Sequence, residues 1–364
     1  MSVRRVRRPD VLLMAPMVLA AAAFVSALSS PAPAAAPDPL NPAFKAVAGP
    51  FRPQFPESDQ SKGPSPAYTE AERQQLIAEG KELFFSRTAF GQQPSQGPQV
   101  FGQPVSCATC HDPAFGFADG LTHLVGPVRE REVARRQSPT LLGVEHTAPY
   151  GWDGRNATLQ EQSRSAIVSP LEMHASREPT RQELDALAEF QRTLAVPAAA
   201  PGKEYDPARA ARGQTLFRTP RPVNDLTGEF AAGAKVACAT CHSGPFFTDN
   251  KAHRGLVVTG DPLLDPGEVG PDGIAGFHTP SLLGLRLTAP YFHDGAMGDP
   301  TAPSNFLSGG LGRRSLDGEI GTHGAGPARR ALLDNVLPFY NTVRFNFGFT
   351  DEELADLAEF LLSL

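Results

Sequence analysis

The stretch Val105–Asp119, VSCATCHDPAFGFAD, returns later in the chain as VACATCHSGPFFTD at Val236–Asp249. Each copy contains a C-x-x-C-H motif, whose two cysteines can form thioether bonds with the vinyl groups of one haem, and whose histidine then binds the iron. A thioredoxin-like redox pair, which needs a βαβ context, and a zinc site are the alternatives. The duplicated motif favours two covalently bound haems c, attached through Cys107, Cys110, Cys238 and Cys241, with His111 and His242 as iron ligands.

Two further blocks recur in the same order. Ser138–Gly154 and Thr279–Gly295 are identical at ten of 17 positions, and Glu183–Leu194 and Glu353–Leu364 at seven of 12. Leu and Phe recur at helical spacing in the last pair, which predicts that an amphipathic helix closes each copy. The chain therefore reads as one haem-binding unit written twice.

The predicted fold is mainly α, with two cytochrome c-like haem lobes related by internal duplication. Long irregular loops are expected, because the chain contains 36 Pro and 34 Gly. The first cytochrome c-like domain is placed at residues 67–200 and the second at residues 201–364, with an Ala/Pro-rich linker around Ala195–Pro207. Residues 37–66 are predicted to be a Pro-rich N-terminal extension.

The N-terminus has the features of a secretory signal peptide at residues 1–36: four arginines, an apolar run over Val11–Leu28 and a small-residue exit at Ala34–Ala36. An uncleaved membrane anchor is the alternative. No later segment approaches a membrane-spanning length, so a soluble periplasmic protein without stable membrane insertion is expected. Beyond residue 36 the chain carries 29 basic and 38 acidic side chains, which argues against a nucleic-acid partner.

The duplicated chain resembles the bacterial di-haem cytochrome c peroxidase family, and is closer to its MauG-like branch. The resemblance covers roughly residues 70–364. Besides both C-x-x-C-H motifs, it rests on Arg135–Leu142, Trp152–Arg155, Tyr291–Gly295 and Asn335–Asn341. Such an ordered set of motifs is specific.

The resemblance implies a division of labour between the haems. The first haem of the family reacts with peroxide, the second transfers electrons, and the Trp of the Trp-Asp-Gly-Arg motif lies between them. Trp152, the only Trp in the chain, would be this relay, although a lone Trp is otherwise most often a core or rim aromatic. Tyr340 falls where ordinary members place a Met iron ligand and the MauG-like branch a Tyr; a core aromatic is the alternative, with Met297 and His323 as other ligands.

Two polar residues are implied at the distal side of the first haem. They follow Trp152 by ten and twenty residues, as Gln162 and Glu172. Peroxide cleavage needs a proton moved between its two oxygens, which a carboxyl can do, so Glu172 is predicted as the catalytic acid–base and Gln162 as the group that orients peroxide or water. Glu172 is otherwise an exposed carboxylate. The family's distal His would fall at Arg129, and His123 and His174 remain as histidines that can reach this iron.

The family also holds a calcium ion between its lobes, using an Asn side chain and carbonyls of Thr and Pro. Thr288 and Pro290 match the last two, whereas Gln137 stands where Asn is expected. Because a Gln carbonyl can also bind Ca²⁺, the resemblance implies a calcium site at these three residues.

These predictions favour a periplasmic di-haem peroxidase that uses hydrogen peroxide and passes oxidising equivalents through Trp152 to an electron donor or to a residue of a partner protein. A detoxifying peroxidase reduced by a small cytochrome or a cupredoxin is the first alternative. A di-haem electron-transfer cytochrome without enzymatic activity is the second, and it requires both irons to have two protein ligands.

Overall fold

A computed structural model describes residues 61, 65–96, 102–120, 137–254, 268–269, 275–293, 295 and 324–364. The predicted signal peptide and nearly all of the predicted extension over residues 37–66 lie outside the described residues. The alternative iron ligands Met297, His323 and His123, and position Arg129, also lie outside them.

The first half of the described chain is built on the helices α1 Glu70–Phe85, α2 Cys107–Cys110, α3 Leu159–Val168 and α4 Arg181–Arg192. Helices α1 and α4 each begin with a reciprocal cap, in which a Thr side chain accepts the backbone N–H of a Glu that in turn accepts the Thr N–H. The apolar side chains of α1, α3 and α4 pack into one core cluster, whose members include Phe84, Ile167, Leu184 and Leu187.

The second half is built on the helices α5 Pro207–Arg218, α6 Cys238–Cys241, α7 Ala325–Ala331 and α8 Asp351–Leu362. Helix α7 leads into two π-helical segments, Leu332–Val336 and Phe339–Arg344. Helix α8 begins with the same reciprocal Thr/Glu cap as α4. A second core cluster forms here, and its members include Phe217, Leu332, Leu357, Phe360 and Leu362.

One pair of helices in each half packs in close contact at a glycine. A Cβ on Gly80 of α1 would lie 1.9 Å from the carbonyl oxygen of Ala186 in α4. A Cβ on Gly213 of α5 would likewise lie 2.0 Å from the carbonyl oxygen of Asp356 in α8. Backbones can approach this closely only where the residue has no Cβ, so these glycines fix the distance between the paired helices.

The strands are short and antiparallel. Strands β1 Arg221–Pro222 and β2 Lys235–Val236 form one pair. Strands β3 Ala252–Arg254, β4 Glu268–Val269 and β5 Ala275–His278 form a sheet in the order β3-β5-β4, with Ala252 opposite His278 and Val269 opposite Ala275.

The architecture is mostly helical with few strands, as the sequence predicts. All strand pairs within the described residues are antiparallel, so no βαβ unit surrounds either C-x-x-C-H motif there, and the thioredoxin-like alternative lacks its context. In the part of the chain that the structure describes, no helix is both long enough and apolar enough to span a membrane.

Candidate functional site

The first C-x-x-C-H motif forms a single helical turn that ends at its histidine. Helix α2 runs from Cys107 to Cys110, and His111 is its C-cap. The Nδ1–H of His111 donates to the carbonyl oxygen of Phe117 (3.0 Å), a residue held at φ 57°. This hydrogen bond places the ring proton on Nδ1, and Nε2 then carries the lone pair that an iron ligand requires.

The second motif repeats this geometry. His242 caps α6, and its Nδ1–H donates to the carbonyl oxygen of Phe247 (3.1 Å), which has φ 52°. Burial lowers the pKa of His242 and keeps its ring in the neutral form that binds metals. All four cysteines of the chain lie in described segments, and none of them forms a disulfide.

A cavity of about 360 Å³ lies against the second motif. Its lining includes Cys238, Cys241 and His242, together with Tyr340 and a set of apolar side chains. Residues of the first half, among them Trp152, complete the wall. Two cysteines for attachment, a neutral imidazole and a phenol in one apolar cavity are a donor set that fits a haem.

Tyr340 lies in the π-helical segment Phe339–Arg344 and faces this cavity. Its ring is stacked against those of Phe292 and Phe345, with centroid distances of 5.9 and 6.0 Å. Burial raises the pKa of the phenol to about 12, and the positive charge of Arg344 opposes this increase. Single π turns inside helices often occur at functional sites because they redirect a side chain, and the placement is consistent with the predicted ligand role of Tyr340.

Trp152 is held between segments of the two halves. Its indole N–H donates to the Gln137 carbonyl oxygen (2.8 Å), and its own carbonyl oxygen accepts the N–H of His278 in β5 (2.9 Å). Its ring meets that of His293 edge to face, with centroids 6.4 Å apart. His293 stands at the position of the second copy that corresponds to Trp152 in the first, so the rings at two equivalent positions are in edge-to-face contact.

The segment that carries Glu172 lies beside the first motif. The neighbouring Met173 is buried, and its sulfur is 3.8 Å from the Cys107 Sγ. Burial raises the pKa of Cys107 to about 12, and the negative charge of Glu172 adds to the increase. Glu172 is half-buried, so the structure associates this carboxylate with the first motif. Sequence reasoning missed Met173, although it directly follows a predicted site residue.

The other predicted residues of the first site make contacts of their own. The Gln162 Oε1 accepts a hydrogen bond from the Asn156 Nδ2 (2.6 Å) near the start of α3. The Nδ1 of His174 lies 2.9 Å from the Pro94 carbonyl oxygen, and the residue adopts φ 48°. The roles of Gln162 and Glu172 at the iron stay predictions.

The three predicted calcium ligands line the same cavity, but their arrangement does not fit a bound cation. Gln137, Thr288 and Pro290 are all part of the wall. The side-chain Nε2 of Gln137 donates directly to the Pro290 carbonyl oxygen at 2.6 Å. A direct hydrogen bond therefore stands where an ion would have to lie between the two groups.

A cluster of charged residues beside the second motif was not foreseen. The Nδ1 of His253 is 2.5 Å from Glu229 and its Nε2 is 2.9 Å from Asp249, while the Cys241 Sγ lies 3.8 Å from Nδ1. The contact with Cys241, followed by the two carboxylates, raises the pKa of His253 to about 10 although burial opposes it. The cluster fastens β3 to the motif. The only sequence signal was the four-residue spacing of Asp249 and His253.

The comparisons with known proteins agree with this donor set. The family described as "Di-haem cytochrome c peroxidase" matches residues 75–212. The methylamine utilization protein MauG of Methylorubrum extorquens is 32% identical over 272 residues, which cover 67% of this chain and 72% of that protein. The cytochrome c551 peroxidase of Pseudomonas aeruginosa is 27% identical over 237 residues, which cover 56% of this chain and 68% of that protein.

Among solved structures, a chain of hydrazine synthase from Kuenenia stuttgartiensis superposes with a TM-score of 0.51. The match covers 86% of this chain and 95% of that chain at 16% identity, and it concerns the fold alone. The family assignment rests on the sequence relatives and on the two motifs. The chain belongs to the di-haem cytochrome c peroxidase family and is a haem-containing oxidoreductase.

Proposed function

We propose that this protein is a periplasmic di-haem c-type peroxidase of the MauG-like kind. His111 would hold the haem at which hydrogen peroxide reacts, His242 and Tyr340 would hold the second haem, and Trp152 would be the path by which the two share oxidising equivalents. They then pass to an electron donor or to an oxidisable residue of a partner protein. The observation that carries the proposal is the single cavity that His242, Tyr340 and Trp152 all line.

The haems supply iron that reacts with peroxide and accepts and gives single electrons. The chain supplies attachment and orientation. In each motif the cysteines would hold the haem edge covalently, and the Nδ1 hydrogen bond of His111 or His242 leaves Nε2 as the ring nitrogen that would bind the iron. A fixed tautomer and ring orientation are what the groups around a metal-binding histidine normally provide.

Glu172 acts on the peroxide at the first haem. Its carboxylate would accept the proton of the inner peroxide oxygen and deliver it to the outer oxygen. Gln162 orients the peroxide or a water molecule. Support comes from the half-buried position of Glu172 and from its place next to the buried Met173, whose sulfur is 3.8 Å from the Cys107 Sγ.

Tyr340 decides between the two peroxidase roles. A phenolate is a hard anionic ligand that stabilises high oxidation states of iron, whereas Met raises the potential and favours ferrous iron. A phenolate-bound iron suits the oxidation of a residue of a partner protein. A Met-bound iron suits a detoxifying peroxidase that needs a small cytochrome or a cupredoxin as electron donor. The MauG relative at 32% identity and the apolar cavity around Tyr340 favour the first; the cytochrome c551 peroxidase relative favours the second.

We also propose that residues 67–200 and 201–364 are two copies of one haem lobe. Equivalent contacts support this. Gly143 N–H donates to the carbonyl oxygen of Leu194 (2.7 Å), and Gly284 N–H donates to that of Leu364 (3.0 Å). In both cases a glycine of the second repeated block binds the last residue of the third. The signal peptide at residues 1–36 and covalent haem attachment in the periplasm belong to the same proposal.

Haem content and resting spectrum test the proposal. The protein made in an exporting, haem-attaching host should carry two haems per chain by mass, and changing Cys107 and Cys110 to Ser should halve that number. The resting ferric protein should show a high-spin band and bind cyanide at one haem. A mass equal to the bare polypeptide would remove the haem assignment, and two low-spin irons that ignore cyanide would indicate the electron-transfer cytochrome instead.

A further inference from the structure

Gln137 makes three hydrogen bonds around Trp152, and two of them cross to the second half of the chain. Its backbone N–H donates to the His293 carbonyl oxygen (2.7 Å), and its side-chain Nε2 donates to the Pro290 carbonyl oxygen (2.6 Å). Its own carbonyl oxygen accepts the indole N–H of Trp152 (2.8 Å). The residue is only 5% exposed, so water competes little with these bonds, and each is stronger than it would be at the surface.

Gln137 therefore controls where the indole ring of Trp152 lies. The main chain of Trp152 is bound to β5 through His278, but the indole nitrogen is bound through Gln137. The side chain of Gln137 donates to the Pro290 carbonyl oxygen and so links the residue that binds the indole N–H to the second half. Pro290 lies three residues before His293, whose ring is in edge-to-face contact with the indole. Displacement of Gln137 would move the hydrogen-bond acceptor of the indole and the spacing between the two rings.

A cation cannot lie between Gln137 and Pro290 in this arrangement. Ca²⁺ binds each oxygen ligand at about 2.3–2.6 Å, whereas the Gln137 nitrogen is itself 2.6 Å from the Pro290 oxygen. An Asn at position 137 would have a side chain shorter by one CH₂, or about 1.5 Å. Its amide would therefore need a bridging ion to be connected to the Pro290 carbonyl oxygen.

We propose that Gln137 is a positioning residue whose side-chain amide takes the place of a calcium ion in fastening Trp152 between the two halves. The protein is accordingly calcium-independent. The effect of Gln137 on turnover rests on the proposed function, because the position of Trp152 matters there only if Trp152 carries oxidising equivalents. The absence of a calcium requirement rests on the Gln137–Pro290 contact alone.

Calcium analysis of the haem-loaded wild-type protein is the first test. We expect less than about 0.1 calcium per chain after desalting, and less than about a twofold change in peroxide turnover on adding a chelator or calcium chloride. About one bound calcium per chain, with turnover lost on chelation and restored by calcium, would overturn the proposal.

Substitutions of Gln137 are the second test. Gln137→Leu should shift the indole N–H band of Trp152, the sole Trp, in ultraviolet resonance Raman spectra and slow turnover at least about tenfold. Gln137→Asn should cause the same band shift and the same loss of turnover, and added calcium should restore both to the wild-type values. The matched control is Gln191→Leu, because Gln191 is 6% exposed and its amide donates to the Ser163 hydroxyl (3.0 Å); it should leave the indole band unmoved.

The outcomes separate this proposal from the proposed function. An unshifted indole band in Gln137→Leu, or a Gln137→Asn variant that calcium does not restore, contradicts the exchange of an ion for an amide. If Trp152→Phe leaves turnover unchanged, the relay fails as a function. The calcium content and the indole band would still decide the role of Gln137.

Discussion

The proposed function places Glu172 and Tyr340 at different irons, so substitutions of each test different parts of the chemistry. Glu172 is half-buried beside Cys107, and the proposal gives it a proton to move. Tyr340 is stacked against two Phe rings, and the proposal gives it an iron to bind. The role of Glu172 is measured by the rate of the peroxide reaction, and the role of Tyr340 by the spectrum and the reduction potential of the second haem. Each variant therefore has its own measurement.

Glu172→Gln should slow the reaction of the first haem with peroxide by about 10²–10⁴, since general acid–base groups contribute this much. Gln has nearly the same shape but cannot carry the proton, so both haem spectra should stay unchanged. Stopped-flow absorbance after mixing with peroxide measures the rate. His174→Ala is the control and should retain the wild-type rate. An unchanged rate in Glu172→Gln would show that the carboxylate is a bystander.

Tyr340→Phe should open the second iron to cyanide and change that haem's absorption and potential, because the phenolate oxygen is removed while the ring remains against Phe292 and Phe345. Tyr340→Met should instead raise the potential and make turnover depend on an added electron donor. Cyanide titration and spectroelectrochemistry are the measurements. If Tyr340→Phe leaves the second haem unaltered, the ligand is another residue, with Met297 first in line, and the detoxifying peroxidase becomes the better description.

Paired helices set the frame that carries both motifs, and the glycines at their contacts are the most sensitive positions. Gly213→Ala in α5 should destabilise the protein by about 1–3 kcal/mol, because the new Cβ would overlap the Asp356 backbone and must push α8 away. Gly326→Ala in α7 is the matched control. A Cβ there meets nothing within 4 Å, and Ala should stabilise the helix by about 0.5–1 kcal/mol. Urea unfolding of the two haem-loaded variants compares them; equal effects would contradict the close packing.

The elements differ in how far the sequence could predict them. Helices α4 and α8 were predictable, because Leu and Phe follow a helical period and the block occurs twice. The π-helical turns around Tyr340 were not, since their hydrogen-bond shift depends on how Phe292, Phe339 and Phe345 pack around the ring. The strands β3 to β5 are too short to give a clear alternating pattern.

The candidate site divides in the same way. Cysteine and histidine positions follow from a motif within five residues, so the sequence is sufficient for them. The Gln137–Pro290 bond joins residues 153 positions apart, and no local pattern could indicate that Gln would donate to the carbonyl rather than share a cation with it. The contact of His253 with Glu229 spans 24 positions and is equally invisible to a local reading.

At the scale of the whole molecule, one of the contacts between the halves surrounds the indole ring of Trp152. Trp152 binds Gln137 and His278, Gln137 binds Pro290 and His293, and all these residues line or border the cavity of the second motif. Two redox centres that share oxidising equivalents need a fixed path between them. The structure provides a rigid, partly buried aromatic group at this place, held from both sides by hydrogen bonds.

The central claim is that the first site reacts with peroxide and Trp152 connects it to the second. Rapid mixing of the diferric protein with one equivalent of peroxide, followed at wavelengths that separate the two haems, tests it most directly. The wild-type haems should change together. In Trp152→Phe the first haem should react at the wild-type rate while the second responds at least about 100-fold more slowly, as expected when a positioned group is lost. A second haem that responds equally fast in Trp152→Phe would contradict the account.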